Sequence, residues 1–333
     1  MGYDVASLAI VILNWNGQDM LRRFLPSVLK YSAGADVFVA DNGSSDDSVK
    51  VLKEEFPEAG LIVLERNFGF AEGYNRALST LSGYRYYLLL NSDVEVREGW
   101  LNAMVSYMEE HTDVAACQPK ILCQWRPTHF EYAGAAGGYI DALGYPYCRG
   151  RIFNTVEEDH GQYDTVADVH WASGAALMVR SEDYWEVGGL DGRFFAHQEE
   201  IDLCLRLLRK GKRVVCVPTS VVYHLGGGTL PQNNPRKTYL NFRNNMWLLK
   251  KNLPKSTYRI VMLARFFLDG IAALQMLLTG QYHASMAVSK GRRDAFRERG
   301  VKCEVVGKDD IGMRPGCLLW SYYIRGKKKY SEL

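Results

Sequence analysis

The segment Tyr86-Tyr87-Leu88-Leu89-Leu90-Asn91-Ser92-Asp93 reads as the central strand of an α/β sheet and the turn that ends it. Five consecutive apolar or aromatic residues predict a strand buried on both faces, as in the middle of a parallel sheet. Ligands of open α/β sheets bind beyond the carboxyl ends of the strands. We therefore expect Asp93 to present a carboxylate there, suited to a divalent cation shared with substrate phosphates. The alternative is a turn whose Asn and Asp side chains bond their own backbone.

Strand and helix patterns alternate on either side of this segment, which is typical of a doubly wound parallel sheet. The predicted strands cover residues 7–13, 36–40, 61–64 and 86–90, and the predicted helices cover residues 21–29, 49–56, 70–81 and 100–110. Right-handed crossovers would bring the polar strand ends to one edge of the sheet. Asn14, Asp41 and Asp93 would then face a common cleft.

The second half of the chain is less regular. From residue 119 to 169, Pro, Gly and Tyr interrupt any periodicity, so we predict an irregular insertion that shapes a pocket. Beyond it we predict short strands at 175–179 and 214–217, the second closed by Pro218. Ser181 is the expected cap of an intervening helix. His224 and the glycines at 226–228 are expected in a loop, followed by a helix that runs to residue 252.

The chain of 333 residues has a formal net charge of +2, from 40 Lys and Arg against 38 Asp and Glu. Residues 255–333 alone carry 15 Lys and Arg against 7 Asp and Glu. A basic region behind an acidic body indicates contact with an anionic surface. The seven cysteines form no CxxC pair, which indicates a reducing compartment without a disulfide framework or zinc site. We expect no signal peptide and no run of about 18 apolar residues that could span a membrane.

Four further features could carry chemistry, each with a plain structural alternative. Asp41 ends a strand in an Asp-Asn-Gly-Ser turn, and its carboxylate could accept the ring N–H of uracil, thymine or guanine. The glycines of segment 67–75 either let a nucleotide approach a helix N-terminus or merely begin that helix. Glu199-Glu200-x-Asp202 either complements a helix dipole or includes a general base. His224 either binds a metal through a neutral nitrogen or is structural.

Seven short motifs follow one another along the chain. They are Val11-Ile12-Leu13-Asn14-Trp15-Asn16, Asp41-Asn42-Gly43-Ser44, Asn67-x-Gly69-Phe70-Ala71-x-Gly73-x-Asn75, Asn91-Ser92-Asp93, Trp171-x-Ser173-Gly174-Ala175, Glu199-Glu200-x-Asp202 and His224. In this order they resemble the family 2 glycosyltransferases, particularly the bacterial rhamnosyltransferase-like branch. The resemblance implies a GT-A fold, an α/β Rossmann-like architecture with a mostly parallel central sheet flanked by helices, here followed by a C-terminal helical appendage.

The resemblance also implies roles for individual residues. The expected donor-binding residues are Asn14, Asp41, Asn67, Gly69, Asn75 and Asn91, the expected acceptor-binding residues are Trp171, Ser173, Gly174 and Glu199, and the expected metal ligands are Asp93 and His224. Glu200 falls where the family has its catalytic Asp, and Asn91 stands where the DxD motif has its first Asp. Arg243, one helical turn from Tyr239, is our own candidate for contact with the donor diphosphate.

The activity implied by the resemblance is an inverting transfer of a sugar from a nucleoside-diphosphate donor, with Mg²⁺ or Mn²⁺ as cofactor. The sugar would be rhamnose or another hexose, the donor UDP- or dTDP-linked, and the acceptor a glycan or lipid-linked oligosaccharide of cell-surface polysaccharide synthesis. Residues 1–252 would form the GT-A domain, with a nucleotide-binding half (1–118) and an acceptor half (119–252). Two alternatives are a sugar nucleotidyltransferase and a non-catalytic nucleotide-sugar-binding relative. The first should carry a glycine-rich, Arg- or Lys-bearing loop after its first strand, which Asn14-Trp15-Asn16-Gly17 is not.

Residues 253–333 are expected to form a helical, basic C-terminal region. An apolar helical stripe predicts a helix that faces the core; it consists of Ile260, Leu263, Ala264, Phe267, Leu268 and Ile271. Basic and aromatic residues follow it, namely Lys290, Arg292, Arg293, Arg297, Arg299, Trp320, Tyr322, Tyr323, Arg325, Lys327, Lys328 and Lys329. Together they favour a cytoplasmic protein in peripheral contact with the inner face of the cell membrane. Nucleic acid is not an expected partner, because no recognised module accompanies the charge.

Overall fold

A computed structural model describes residues 7–226, 234–298, 300–302 and 312–333. Gly227, Gly228 and Arg299, which belong to the predicted glycine loop and basic cluster, lie outside these ranges.

Within the described residues the chain forms a ten-stranded sheet, a four-stranded sheet and nine α-helices. The strands of the large sheet are β1 (Leu8–Asn14), β2 (Asp36–Asp41), β3 (Gly60–Val63), β4 (Tyr86–Asn91), β5 (Val94–Val96), β6 (Val114–Cys123), β7 (Arg126–Phe130), β12 (Ala167–Asp168), β13 (Ala176–Arg180) and β14 (Arg213–His224), and those of the small sheet are β8 (Gly138–Ile140), β9 (Pro146–Cys148), β10 (Arg151–Ile152) and β11 (Thr155–Val156). The helices are α1 (Gln18–Tyr31), α2 (Ser48–Glu55), α3 (Gly69–Ser79), α4 (Trp100–Glu110), α5 (Ser181–Glu186), α6 (Glu199–Arg209), α7 (Pro235–Asn252), α8 (Lys255–Leu278) and α9 (Tyr282–Arg297).

The large sheet is mostly parallel, as predicted. Its order is β12-β14-β6-β13-β4-β1-β2-β3, with β5 on β14 and β7 on β6. Strands β4, β1, β2 and β3 run parallel to one another, and β6 pairs with β14 in parallel, whereas β13 lies antiparallel between β4 and β6. Apolar cores cover both faces, and Tyr86 to Leu90 of β4 are buried throughout. The expected GT-A architecture is therefore confirmed.

The predicted irregular insertion at 119–169 is only partly irregular. Strand β6 continues through Cys123 with all its residues buried, and the antiparallel strands β8 to β11 follow it. These four strands contain two or three residues each, too few for a period of two to be visible in the sequence.

Three local predictions in this half were wrong. Strand β14 does not end at Pro218, because a register shift between Val217 and Val221 accommodates the proline and the pairing with β6 resumes beyond it. His224 is therefore the last residue of a strand and not a loop residue. Ser181 begins α5 but does not cap it, since its hydroxyl donates a hydrogen bond to the carbonyl of Tyr84.

The C-terminal region is helical, as expected, but α8 does not turn its apolar stripe to the core. Ile260, Leu263, Phe267 and Ile271 are 61–71% exposed, while the buried face of the helix carries Arg265 and Asp269 beside two apolar residues. The helix is also long and apolar enough to cross a membrane by length and composition. The expectation that the chain contains no such stretch is therefore corrected.

Asp202 holds α6 against α7. Its Oδ2 accepts hydrogen bonds from Arg206 Nε at 2.9 Å and Lys251 Nζ at 2.9 Å, and its Oδ1 accepts one from the Asn252 amide at 2.8 Å. The carboxylate is completely buried. Removing one partner of such a buried network leaves uncompensated charge, which is strongly destabilising.

We predict that Asp202→Ala lowers the free energy of unfolding by about 3–5 kcal/mol. The matched control is Arg22→Ala, because the Arg22–Glu55 ion pair is exposed and should contribute at most about 1 kcal/mol. Urea unfolding measures both changes. Equal midpoints for the two variants would show that the Asp202 network does not hold the helices together.

Candidate active site

The ends of β1 and β2 form the first part of the cleft. Asn14 and Asp41 are paired in register, and Asn14 Nδ2 donates a hydrogen bond to Asp41 Oδ1 at 3.1 Å. The other carboxylate oxygen of Asp41 accepts a hydrogen bond from the Ser44 backbone N–H at 2.9 Å. Both side chains are buried, and Asn14 Oδ1 has no partner. A Cβ on Gly17 would lie only 2.5 Å from that oxygen, so glycine keeps this approach open.

The segment that leads into α3 is held close to the cleft by its own polar groups. Asn67 Oδ1 accepts a hydrogen bond from the Gly69 N–H at 2.8 Å, and Asn42 Oδ1 accepts one from the Phe68 N–H at 3.0 Å. Gly69 has a φ of +80°, and a Cβ there would lie 2.5 Å from the Phe195 ring. The position therefore requires glycine for both its conformation and its packing.

Asp93 and His224 meet at the carboxyl edge of the sheet. Asp93 Oδ1 lies 3.0 Å from His224 Nε2, and Asn91 Nδ2 lies 3.4 Å from the same ring nitrogen. His224 Nδ1 lies 3.3 Å from Glu131 Oε2, an ion-pair distance without hydrogen-bond alignment. Burial opposes charge on this imidazole, but the carboxylates of Asp93 and Glu131 outweigh it and raise the pKa of His224 to about 10. Burial likewise opposes charge on Asp93, yet the facing imidazole lowers the pKa of that carboxyl.

This donor set suits a divalent cation that shares its shell with a substrate. Among the described residues, no three His, Cys, Asp or Glu side chains are grouped to hold a metal. Asp93 and His224 would thus supply one oxygen and one nitrogen, and phosphate oxygens would have to supply the rest, as is usual for Mg²⁺ with nucleotides. An imidazole ligand fits Mn²⁺ as well. Binding would release the proton that His224 carries between its two carboxylates.

The start of α6 brings two unpaired carboxyl groups to the same region. Glu199 Oε2 and Glu200 Oε2 are buried and have no hydrogen-bond partner. The Cβ of Glu200 lies 3.7 Å from the position of a Cβ on Gly174. The next residue, Ala175, accepts a hydrogen bond from the Asn91 N–H at 3.0 Å. Glu200 therefore packs against Gly174, and the neighbouring Ala175 is hydrogen-bonded to Asn91 at the start of the Asn91-Ser92-Asp93 turn.

The two glutamates share an environment that favours protonation. Burial is the main cause for both: it raises the pKa of Glu199 well above its usual range, aided by the charge of Glu200, and it raises the pKa of Glu200 to about 7. Two like charges at such close range cannot both ionise easily. Burial and the neighbouring charge therefore both favour the protonated form of Glu199, whereas Glu200 titrates near neutral pH.

The segment before α6 is conformationally strained and clamped from α7. Phe195, His197 and Gln198 all have positive φ, between 66° and 72°, which is uncommon for residues other than glycine and clusters at functional sites. Asn244 Nδ2 donates hydrogen bonds to the carbonyls of Phe194, Ala196 and His197 at 2.8–3.0 Å. Asn244 thereby fixes the segment that positions Glu199 and Glu200.

Arg243 belongs to the same clamp. Its guanidinium donates hydrogen bonds to the Phe194 carbonyl at 3.0 Å and to Asn244 Oδ1 at 2.9 Å, and lies 4.2 Å from the centre of the Trp247 ring. The structure thus places Arg243 against the strained segment, where it makes a supporting contact. Its contact with the donor diphosphate stays a prediction.

Three other predicted residues also lie behind the cleft. The Asn75 side chain donates to the Leu190 carbonyl at 2.6 Å and accepts from Tyr184 Oη at 2.6 Å. Trp171 is buried, and its ring nitrogen donates to the Tyr139 carbonyl at 3.1 Å. Ser173 is buried, and its hydroxyl donates to the Ala133 carbonyl at 2.9 Å. These contacts support the walls of the site. The contacts of Asn75 with donor and of Trp171 and Ser173 with acceptor stay predictions.

Two charged residues of the cleft were not predicted. Glu131 lies in the region without periodicity, where no motif marked it. Lys237 follows Pro235 at the start of α7, and its half-buried ammonium has no hydrogen-bond or ion-pair partner among the described residues. Burial lowers the pKa of Lys237, and the nearby Glu131 partly offsets this effect. Burial and the charge of Lys237 also lower the pKa of His197 to about 4, so that imidazole is neutral.

The sheet order and the flanking helices give the chain the GT-A fold of glycosyltransferases, with Asp41, Asp93 and His224 at one edge of the sheet. The family model for glycosyl transferase family 2 matches residues 9–185, more than half of the sequence. The chain belongs to glycosyl transferase family 2.

Known relatives agree with this assignment. An N-acetylglucosaminyl-diphospho-decaprenol L-rhamnosyltransferase of Mycobacterium tuberculosis is 27% identical over 235 residues, which cover 65% of this chain and 75% of the relative. The structure of GalNAc-T7 with UDP, GalNAc and Mn²⁺ has a TM-score of 0.60 at 16% identity, covering 89% of this chain and 55% of that one. The structure of S. aureus TarS 1–349 with UDP-GlcNAc has a TM-score of 0.56 at 14% identity, covering 86% and 81%. At these identities the two structures show the shared fold.

Proposed function

We propose that this protein transfers rhamnose or another hexose, with inversion, from a UDP- or dTDP-linked donor to a hydroxyl of a lipid-linked glycan during cell-surface polysaccharide synthesis. The observation that carries the proposal is Glu200, a carboxyl with an unpartnered buried oxygen and a pKa near 7, close to the Asn91-Ser92-Asp93 turn. The acceptor class is supported by the mycobacterial relative, whose name specifies a decaprenol-linked sugar. A lipid-linked acceptor would place the enzyme at the inner face of the membrane.

Residues 1–118 would bind the donor nucleotide. Asp41, oriented by Asn14 and the Ser44 N–H, has the position and charge to accept the ring N–H of uracil or thymine. Asn67 and Gly69 shape the loop beside it, and the Asn91 amide lies 3.4 Å from the His224 ring. Asp93 and His224 would hold Mg²⁺ or Mn²⁺ under the diphosphate. When bound, the cation would stabilise negative charge on the departing nucleoside diphosphate.

Residues 119–252 would bind the acceptor and carry the base. Glu200 takes the proton from the acceptor hydroxyl, whose oxygen attacks the anomeric carbon from the face opposite the diphosphate, and the bond from that carbon to the phosphate oxygen breaks. Burial favours the protonated form of Glu199, and in that form it would donate a hydrogen bond to the acceptor, with Gly174 leaving room beside Glu200. Lys237, whose ammonium has no hydrogen-bond or ion-pair partner among the described residues, would also meet the leaving diphosphate.

Glu200→Gln removes the base but keeps nearly the same shape. We expect transfer to fall by about 10²–10⁴-fold, the usual contribution of a general base, while the dissociation constant for the nucleoside diphosphate stays within experimental error. Initial rates and calorimetric titration measure the two quantities. Glu186→Gln on α5, which removes an exposed carboxylate paired with Lys210, is the control and should change neither. Near-normal turnover in Glu200→Gln would refute the assignment.

The pH profile gives an independent test of the same carboxyl. Burial raises the pKa of Glu200 to about 7, so the basic form is lost as the pH falls through that value. We expect kcat/KM to decrease about tenfold per pH unit below pH ~7, and the residual rate of Glu200→Gln to lack this limb. A wild-type profile that stays level down to about pH 5, where an ordinary glutamate is still ionised, would contradict the raised pKa.

The metal site predicts a nucleotide affinity that depends on Asp93. We expect Mn²⁺ to strengthen UDP binding to the wild type. In Asp93→Asn we expect this Mn²⁺-dependent increase in UDP affinity to be smaller by a factor of at least about 10. Thermal-shift titration with UDP, with Mn²⁺ or with a chelator, measures this without turnover. Asp19→Asn, which changes an exposed carboxylate on α1, should behave as wild type. UDP binding that is equally tight with chelator and with Mn²⁺ would exclude a shared metal.

A further inference from the structure

The helical hairpin formed by α8 and α9 exposes a continuous apolar surface. We call this surface the hairpin face, and its members are Ile260, Leu263, Phe266, Phe267, Ile271, Leu274, Leu277, Leu278, Tyr282 and Met286, each between 45% and 78% exposed. Along α8 most members follow one another at three or four residues, and the two adjacent pairs are Phe266-Phe267 and Leu277-Leu278. This spacing keeps them on one side of the helix. Soluble monomers rarely expose so many large apolar side chains together.

The hairpin face lacks exposed formal charge. Between residues 260 and 289 the charged side chains are Arg265 and Asp269, and both are buried. Over these thirty consecutive residues no Asp, Glu, Lys or Arg side chain is exposed to solvent. In the whole chain, 23% of the residues are charged.

A buried polar cluster fixes which side of α8 faces outward. Arg265 donates hydrogen bonds to Asp269 Oδ1 at 2.9 Å, to Asn245 Oδ1 at 2.6 Å and to the Leu143 carbonyl at 3.2 Å. Arg292 of α9 also pairs with Asp269. Because Asn245 lies on α7 and Leu143 lies in the loop before β9, this cluster binds α8 to the catalytic part of the protein and turns the apolar residues away from it.

Basic residues surround the base of the hairpin. The exposed ones are Lys255 and Arg259 at the start of α8 and Lys290, Arg293 and Arg297 toward the end of α9. Consecutive helices that pack together in a hairpin bring these two ends to the same side, so the cationic residues lie together at one end of the hairpin face. The acidic residues nearest in sequence to these basic residues are Asp294 and Glu298. The net charge at the base of the hairpin is therefore positive.

We propose that the hairpin face docks on an anionic lipid bilayer, with apolar side chains entering one leaflet and the basic base contacting lipid headgroups. Apolar insertion combined with cationic contact is the pattern of proteins that lie on membranes. A second copy of the chain suits the surface less, because it would cover the apolar side chains but would offer the exposed cations at the base no anionic partner. If α8 crossed the membrane, Arg265 would lose its hydrogen bond to Asn245. Both Arg265 and Asp269 would then lie in hydrocarbon.

This inference rests on the proposed function and extends it, because a surface that docks on lipid would hold the cleft near a lipid-linked acceptor. Its test does not require sugar transfer. The full-length protein is sedimented with phosphatidylcholine vesicles with and without about 30% phosphatidylglycerol, a fraction that gives the surface its negative potential. We expect binding to the anionic vesicles that weakens as salt rises. Ile271→Glu/Leu274→Glu should bind at least about 10-fold more weakly, with an unchanged melting temperature, because both side chains are exposed.

The control is Trp125→Glu, which replaces an equally exposed aromatic in the β6–β7 turn and should bind vesicles as the wild type does. Three results would overturn the proposal: no vesicle binding, equal loss in the control, or a wild-type dimer in light scattering that becomes monomeric in the double variant. Protein that resists alkaline carbonate extraction from cell membranes would also overturn it in favour of a spanning helix. Donor hydrolysis by the double variant should equal wild type, so failure here and failure of the proposed chemistry are separable.

Discussion

The contact between Asp93 and His224 is the constraint on which the site depends. These residues come from the turn after β4 and the end of β14, which are separated by β13 and β6 in the sheet. Their 3.0 Å approach is possible because β14 stays paired with β6 past Pro218 and β5 pairs back onto β14. Parallel strands that end together bring Asn14 and Asp41 to the same edge. The positions of the cleft residues therefore depend on the register of the strands as well as on the identity of the side chains.

The acidic start of α6 shows how neighbouring carboxylates acquire different roles. Asp202 faces α7 and is neutralised by Arg206 and Lys251, so it can remain charged while completely buried. Glu199 and Glu200 have no cationic partner within the part of the chain that the structure describes, and burial raises the pKa of both. The strained segment 195–198, held by Asn244, fixes the direction in which this helix begins. Strain and an unpaired buried carboxyl are both unfavourable for folding, and both occur where a reactive group has to be held in place.

Much of the donor side could be predicted because its signals are local. Buried strands that end in Asn14, Asp41 and Asn91-Ser92-Asp93 are visible as apolar runs followed by polar turns, and the expected sheet is present. The remainder depends on contacts between distant segments. Glu131 and Lys237 carry no local pattern, and the use of Arg243 in a backbone clamp follows only from where segment 193–197 packs. The stripe on α8 was recognised as helical, but the sequence alone does not say that the two charged residues on the opposite side are the buried ones.

The central claim is that Asp41, Asp93, His224 and Glu200 surround one nucleotide-sugar diphosphate. The most direct test is a crystal structure of the protein soaked with UDP and Mn²⁺, with anomalous data that locate the manganese. The account predicts one anomalous peak that touches both Asp93 and His224, a uracil ring whose N–H points at Asp41, and a β-phosphate on the side of the cleft that carries Glu200. Manganese or uracil bound elsewhere on the protein, with these four side chains free of ligand, would contradict it.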